Sequence, residues 1–291
     1  MILIYIQQLI QNMPKNINMP IELDLVLSGG AFNGSYILGC LYYIKELEKQ
    51  NLVKIKRISG SSIGSILGLL YFSNQLDLFT YFYDDTFKSF KKNKNLSTLM
   101  DFKQKLKDKL PLNICDIVKN KLYICFNNIK LCKKYTKNKY NNVDELLEYI
   151  IRSCYVPYLI DYNSCYKNKY IDGMLPYLFK KIDNRNILYI NVITHDKLFD
   201  VINVKNETIN LHRILTGIID IHLFFIKGQN TIMCSYIKKW FVYEYVVYYL
   251  SYILEHIIVY IMYFTKKINN VKIVKLLFKE LMNYYITQFL V

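Results

Sequence analysis

Leu23-Asp24-Leu25-Val26-Leu27 runs into Ser28-Gly29-Gly30-Ala31-Phe32-Asn33-Gly34, and some thirty residues on, 53–58 runs into Ser59-Gly60-Ser61-Ser62-Ile63-Gly64. Each is a short, mostly apolar run that stops at a glycine-rich turn. Residues 36–49 follow the first turn with apolar side chains at Ile37, Leu38, Leu41 and Ile44, the spacing of one helix face. Residues 65–72 follow the second in the same way. Strand, glycine turn, helix, repeated once, is the sequence form of an α/β layered fold. Further on, 143–151 predicts a helix, with Asp144 and Glu145 near its start where the helix dipole favours acid. Tyr170-Ile171-Asp172-Gly173 predicts a strand and turn, and 187–193 a buried strand. The lysine-rich stretch 88–140 predicts mostly a solvated helical face, and Asp84 and Asp85 a solvated turn after core aromatics. No internal repeat is evident.

Composition narrows the class. A 291-residue chain that is 53% hydrophobic and 21% charged, with 10 Gly and 5 Pro, is neither disordered nor collagenous. The 28 Tyr and 16 Phe, with Ile, Asn and Lys also crowded, follow the codon usage of an AT-rich genome before they say anything about a site. The net charge of +15 favours a polyanionic partner, and no helix-turn-helix, zinc or RNA-binding signature accompanies it, so an anionic membrane surface is expected ahead of nucleic acid. Seven cysteines include no C-x-x-C and suit a reducing compartment. The apolar start, Met1 to Ile6, lacks the basic region and cleavage site of a signal peptide, and predicts a short strand or helix packed on the domain. A cytoplasmic or peripheral-membrane location follows as the expectation. Residues 240–264 are long enough to cross a bilayer. Glu244, Glu255 and His256 interrupt them, and charges near a span's centre are expensive, so a packed or surface-lying helix is favoured over a span.

The glycine turns are tested first as phosphate loops. A dinucleotide fingerprint starting at Gly29 or Gly30 fails at Ala31 or Phe32, and Gly34-Ser35-Tyr36 lacks the lysine of a Walker loop. Gly60-x-Ser62-x-Gly64 between strand and helix has instead the context of a nucleophile elbow. There a sharp turn presents the serine oxygen over a helix N-terminus, where partial positive charge suits an anionic intermediate.

Taken together, the turns resemble the patatin-like phospholipase family. Gly29-Gly30-Ala31-Phe32-Asn33-Gly34 is similar to its oxyanion motif G-G-(G/A)-x-(R/K)-G, with Asn33 where a basic residue is usual. Gly60-Ser61-Ser62-Ile63-Gly64 matches its G-x-S-x-G, and Asp172-Gly173-Met174 its D-G-(G/A), with Met174 where a small residue is usual. Ser153-Cys154-Tyr155-Val156-Pro157 looks like the segment that precedes the last motif. The resemblance covers residues 23–193. It implies a three-layer α/β/α fold with a central, mostly parallel sheet, followed by a helical C-terminal region. The divisions expected are an extension at 1–20, a catalytic domain at 21–205 and an apolar helical region at 206–291.

The resemblance also implies a lipid acyl hydrolase with a Ser–Asp dyad. Ser62 would be the nucleophile, Asp172 the general base, and Gly29, Gly30, Ala31, Asn33 and Gly34 the oxyanion loop. Gly60 and Gly64 would shape the elbow and Gly173 the turn beside the base. The substrate would be phospholipid or lysophospholipid, with neither cofactor nor metal required. Two alternatives stay open: a catalytically silent protein that binds membranes, suggested by Asn33 and Met174, and a Ser62–Asp172–His195 triad, whose chain order fits α/β-hydrolases. Oligomeric state is not legible.

Overall fold

In the computed structural model, which describes residues 2–13, 20–182, 185–197, 199–205, 207–268, 276, 279–280, 284 and 286–290, the first element is α1 (Ile2–Gln11), a helix that seats Ile6 and Ile10 in the core. The two strand-turn-helix units follow as β1 (Ile21–Leu27) with α2 (Gly34–Lys49), and β2 (Val53–Ser61) with α3 (Ile63–Phe72). Helices α4 (Asp77–Asn93), α5 (Thr98–Lys107) and α6 (Ile114–Val118) lead to strands β3 (Leu122–Asn128) and β4 (Lys133–Lys137). Then come α7 (Val143–Cys154), β5 (Tyr170–Asp172), β6 (Asn186–Ile190), α8 (Leu211–Lys227), β7 (Cys234–Tyr236) and the long α9 (Val242–Ile268).

The strands form one sheet flanked by helices, in the order β4-β3-β2-β1-β6-β7. Its four central strands are parallel, while β4, β5 and β7 pair antiparallel at its margins. This is the α/β/α arrangement expected, with a helical region after it. β1 is buried along Leu23–Leu27, as suits a central strand covered on both faces. The placement of β5 matters most for the site. β2 pairs with β3 only as far as Ser61 opposite Cys125. β5 then pairs with the next residues of β3, Asp172 opposite Phe126. β4 already occupies the other edge of β3 there, so β5 takes over the lane that β2 leaves.

The stretch 88–140 differs from its reading. Its solvated helices exist, and Asp85 sits on α4 in an exposed ion pair with Lys105 (2.9 Å) rather than in a turn. The same stretch also holds β3, a buried central strand, and β4, an edge strand. Lysines on both flanks mask the short apolar core of β3 in any sequence window. Lysines on β4 serve an edge, where they oppose pairing with another chain. The aromatics of α4 are core, as expected: Phe79, Phe82, Tyr83, Phe87 and Phe90 are buried.

α8 and β7, which lie beyond residue 205, join the sheet layers. β7 extends the sheet from β6. α8 crosses α2 so closely that a Cβ on Gly39 would lie 2.1 Å from Ile214 O, and one on Gly217 would lie 2.1 Å from Tyr36 O.

Candidate active site

β2 ends at Ser61, and Ser62 follows as the N-cap of α3 with φ 50° and ψ −129°. A non-glycine residue in that region stores about 1–3 kcal/mol of strain, so its surroundings must hold it. They do so from both sides. The Ser62 N–H donates to Ser153 Oγ on α7 (2.9 Å), and Ser62 O accepts from Ser65 Oγ (2.6 Å). The flanking glycines are there for space. A Cβ on Gly60 would lie 2.4 Å from Gly64 O, and one on Gly64 would lie 2.7 Å from Leu27 O and Ser28 O. No side chain fits at either position, which is the physical content of the elbow motif.

Because β5 continues the lane of β2, Asp172 arrives beside Ser62. Its carboxylate is buried. Oδ1 accepts the Met174 N–H (2.6 Å), whereas Oδ2 makes no hydrogen bond of ordinary geometry. Burial pushes the Asp172 carboxyl up to about 6, while the Ser62 hydroxyl and the Met174 N–H pull it partly back. Among more distant charges, Glu255 raises it and Lys134 lowers it. Ser62 thus stands near enough to Asp172 to favour its charged form. Gly173 meets the backbone of β3, where a Cβ would lie 2.1 Å from Cys125 O.

The first glycine turn lies against the elbow: a Cβ on Gly29 would stand 3.2 Å from Ser62 Cβ. Gly30 has φ 138°, open to glycine alone, and Ala31 has φ 42°. The five positions of the motif divide by what their N–H groups do. Asn33 N–H donates to Gly30 O (2.8 Å) and Gly34 N–H to Ala31 O and Phe32 O. The N–H groups of Gly29, Gly30 and Ala31 donate to no acceptor among the described residues.

The Asn33 side chain is committed elsewhere. Its Nδ2 donates to Val192 O (2.8 Å) and Lys197 O (2.9 Å), and its Oδ1 accepts from Arg213 Nη1 (2.6 Å). Arg213, buried on α8, also donates to Asp200 O, Asn203 O and the Glu207 carboxylate. A guanidinium from α8 therefore fastens the turn through Asn33.

Ser62 opens on an apolar cavity of about 100 Å³ lined by, among others, Ile63, Ile66, Phe79, Phe82, Leu99 and Phe102. Cys154 also lines it, but burial first and then Asp172 push its thiol well above the ordinary range, which leaves it inert as a nucleophile. His195 opens a short 3-10 turn after β6, and its side chain lies outside the described residues. His222 lies elsewhere, with Nδ1 2.7 Å from Tyr43 Oη.

Behind Asp172 lies a polar cluster that motif reading missed. Asn127 Nδ2 donates to Asp172 O (2.9 Å) and to Glu255 Oε1 (2.7 Å), and Lys134 Nζ donates to Glu255 Oε2 (2.7 Å) and Leu175 O (2.6 Å). Glu255, noticed in the sequence only as a break in an apolar run, was the one available signal. Its charge has to be answered somewhere, and it is answered inside the protein. The family model for patatin-like phospholipases matches residues 25–175, more than half of the chain, from β1 to just past Asp172. No curated protein matches the sequence.

Proposed function

The chain belongs to the patatin-like phospholipase family, whose members are lipid acyl hydrolases, and we propose that it cleaves carboxylic esters of phospholipid or lysophospholipid through an acyl-serine intermediate. One observation carries this reading. Ser62, strained at a helix N-terminus, stands between a buried carboxylate with an uncommitted oxygen and an apolar cavity.

With an acyl chain in the cavity, the ester carbonyl meets Ser62 Oγ. Oγ bonds to the carbonyl carbon as Asp172 Oδ2 takes the hydroxyl proton. The oxygen of the tetrahedral intermediate gathers negative charge beside the N–H groups of Gly29, Gly30 and Ala31 and the positive end of α3. Collapse expels the alcohol, which leaves with the proton from Asp172. Water then attacks the acyl-serine, gives its proton to Asp172, and releases fatty acid as Ser62 is reprotonated.

Purified protein should release fatty acid from phospholipid vesicles and react with a serine-directed fluorophosphonate, and both should vanish in Ser62→Ala. Full activity in that variant would remove Ser62 from the mechanism. His195→Ala should leave the rate nearly unchanged; a collapse with the fold intact would replace the two-residue reading by a three-residue relay.

A further inference from the structure

α9 is 27 residues long, about 40 Å of helix, and is apolar enough over Val242–Lys267 to cross a membrane by length and composition. Its two faces have different neighbours. The inward stripe carries Glu255, Val259 and Met262, all buried. Val259 and Met262 pack with Ile129, Tyr158 and Ile171, the last on the strand that bears Asp172. Glu255 is ion-paired to Lys134 on β4. The outward stripe is apolar and uncovered: Leu250, Ile253, Leu254, Ile257 and Ile261 are each about half exposed.

We propose that this outward face seats the protein on an anionic lipid bilayer, with α9 lying in the plane of the membrane surface. Charge selects the occupant. Lys238 and Lys239 precede the helix and Lys266 and Lys267 close it. Lys239 donates to Gly228 O and Lys266 to Asn168 O, which leaves Lys238 at one end and Lys267 at the other to face outward charge. Of its two carboxylates, Glu255 faces the domain in an ion pair, and Glu244, which accepts the Phe241 N–H (2.8 Å), lies in the first turn of the helix. If two copies met through this face, lysines would lie against lysines in either the parallel or the antiparallel arrangement. Lipid phosphates answer Lys238 at one end and Lys267 at the other at once. Crossing the bilayer would draw the Lys134–Glu255 pair and the edge of the sheet into hydrocarbon with the helix. A helix fixed along the domain and apolar on its free side is suited to the interface.

The test uses the full chain carrying Ser62→Ala, so vesicle composition is constant and the result stands apart from the hydrolase reading. Sucrose-loaded phosphatidylcholine vesicles with and without phosphatidylserine are sedimented with the protein. Binding to the anionic vesicles should exceed binding to the neutral ones and weaken as salt is raised. Leu250→Glu with Leu254→Glu should weaken it at least tenfold. Both positions are exposed, so the circular dichroism and melting of the variant should match the parent; Leu250→Ser with Leu254→Ser serves if they do not. Unchanged binding in the substituted protein would overturn the proposal. So would a parent dimer in light scattering that the substitutions dissolve, or protein that stays in membranes after alkaline carbonate extraction, the mark of a span.

Discussion

Asp172 is a carboxylate kept where water is scarce, and this has opposite effects on activity and stability. Its carboxyl is pushed up from 3.8 to about 6. The folded state therefore holds the proton more tightly than the unfolded state. Below about pH 4 both states are protonated. As pH rises from about 4 to 6 the unfolded chain ionises first, and stability falls by about 3 kcal/mol, an order-of-magnitude figure for a two-unit shift. Catalysis runs the other way, because only the carboxylate accepts the Ser62 proton. Turnover should rise about tenfold per pH unit below 6 and level off above it. Asp172→Asn keeps the shape and the Met174 contact but takes no proton. It should lower turnover by about 10²–10⁴-fold and at the same time raise the melting temperature at pH 8. A melting temperature that stays level or falls at pH 8 would mean that the ionised carboxylate does not strain the fold.

At the scale of elements, the site depends on how closely the backbones approach. The α2–α8 crossing is the clearest case outside the elbow, and it carries Arg213 to Asn33. Gly217→Ala sets two effects against each other. Alanine gains about 1 kcal/mol of helix propensity over glycine. Its Cβ, however, would lie 2.1 Å from Tyr36 O, so the helices must separate. Overpacking a tight contact typically costs about 1–3 kcal/mol, and here the obstacle is backbone that cannot rotate away. The net effect should be destabilisation of up to about 2 kcal/mol, read as a lower urea midpoint, with reduced turnover because the glycine turn loses its fastening. An unchanged midpoint would show that α8 can shift without consequence for the domain.

Across the whole molecule, Glu255 joins the last long helix to the chemistry of the first motifs. It reaches Asp172 through Asn127 and meets Lys134 on the edge strand. Glu255→Gln keeps a hydrogen-bonding oxygen for Asn127 and removes a negative charge that raises Asp172, leaving Lys134 to lower it. The acid limb of the pH–rate profile should therefore move below about 6, measured at a temperature where the variant is folded. Loss of a buried ion-pair partner should also cost about 3–5 kcal/mol of stability. An acid limb that does not move would confine Glu255 to holding α9 in place.

What the sequence by itself determined is local. Two strand-turn-helix units, the crowding that demands Gly60 and Gly64, and Ser62 as a candidate are all legible, because a turn's chemistry is written within a few consecutive residues; Asp172 is legible through the family resemblance of its Asp-Gly turn. β3 was not legible, since its apolar residues are few and lysine surrounds them; its membership in the sheet is settled by strands elsewhere in the chain. The rest was decided by tertiary structure alone. It put β5 into the lane that β2 vacates, bound the Asn33 side chain to Arg213, and pointed Glu255 inward while Leu250, Ile253, Leu254, Ile257 and Ile261 stay exposed. The Asn33 and Glu255 contacts join residues more than 100 positions apart. Apolar spacing says which face of a segment is buried, but only the packed chain says what that face is buried against.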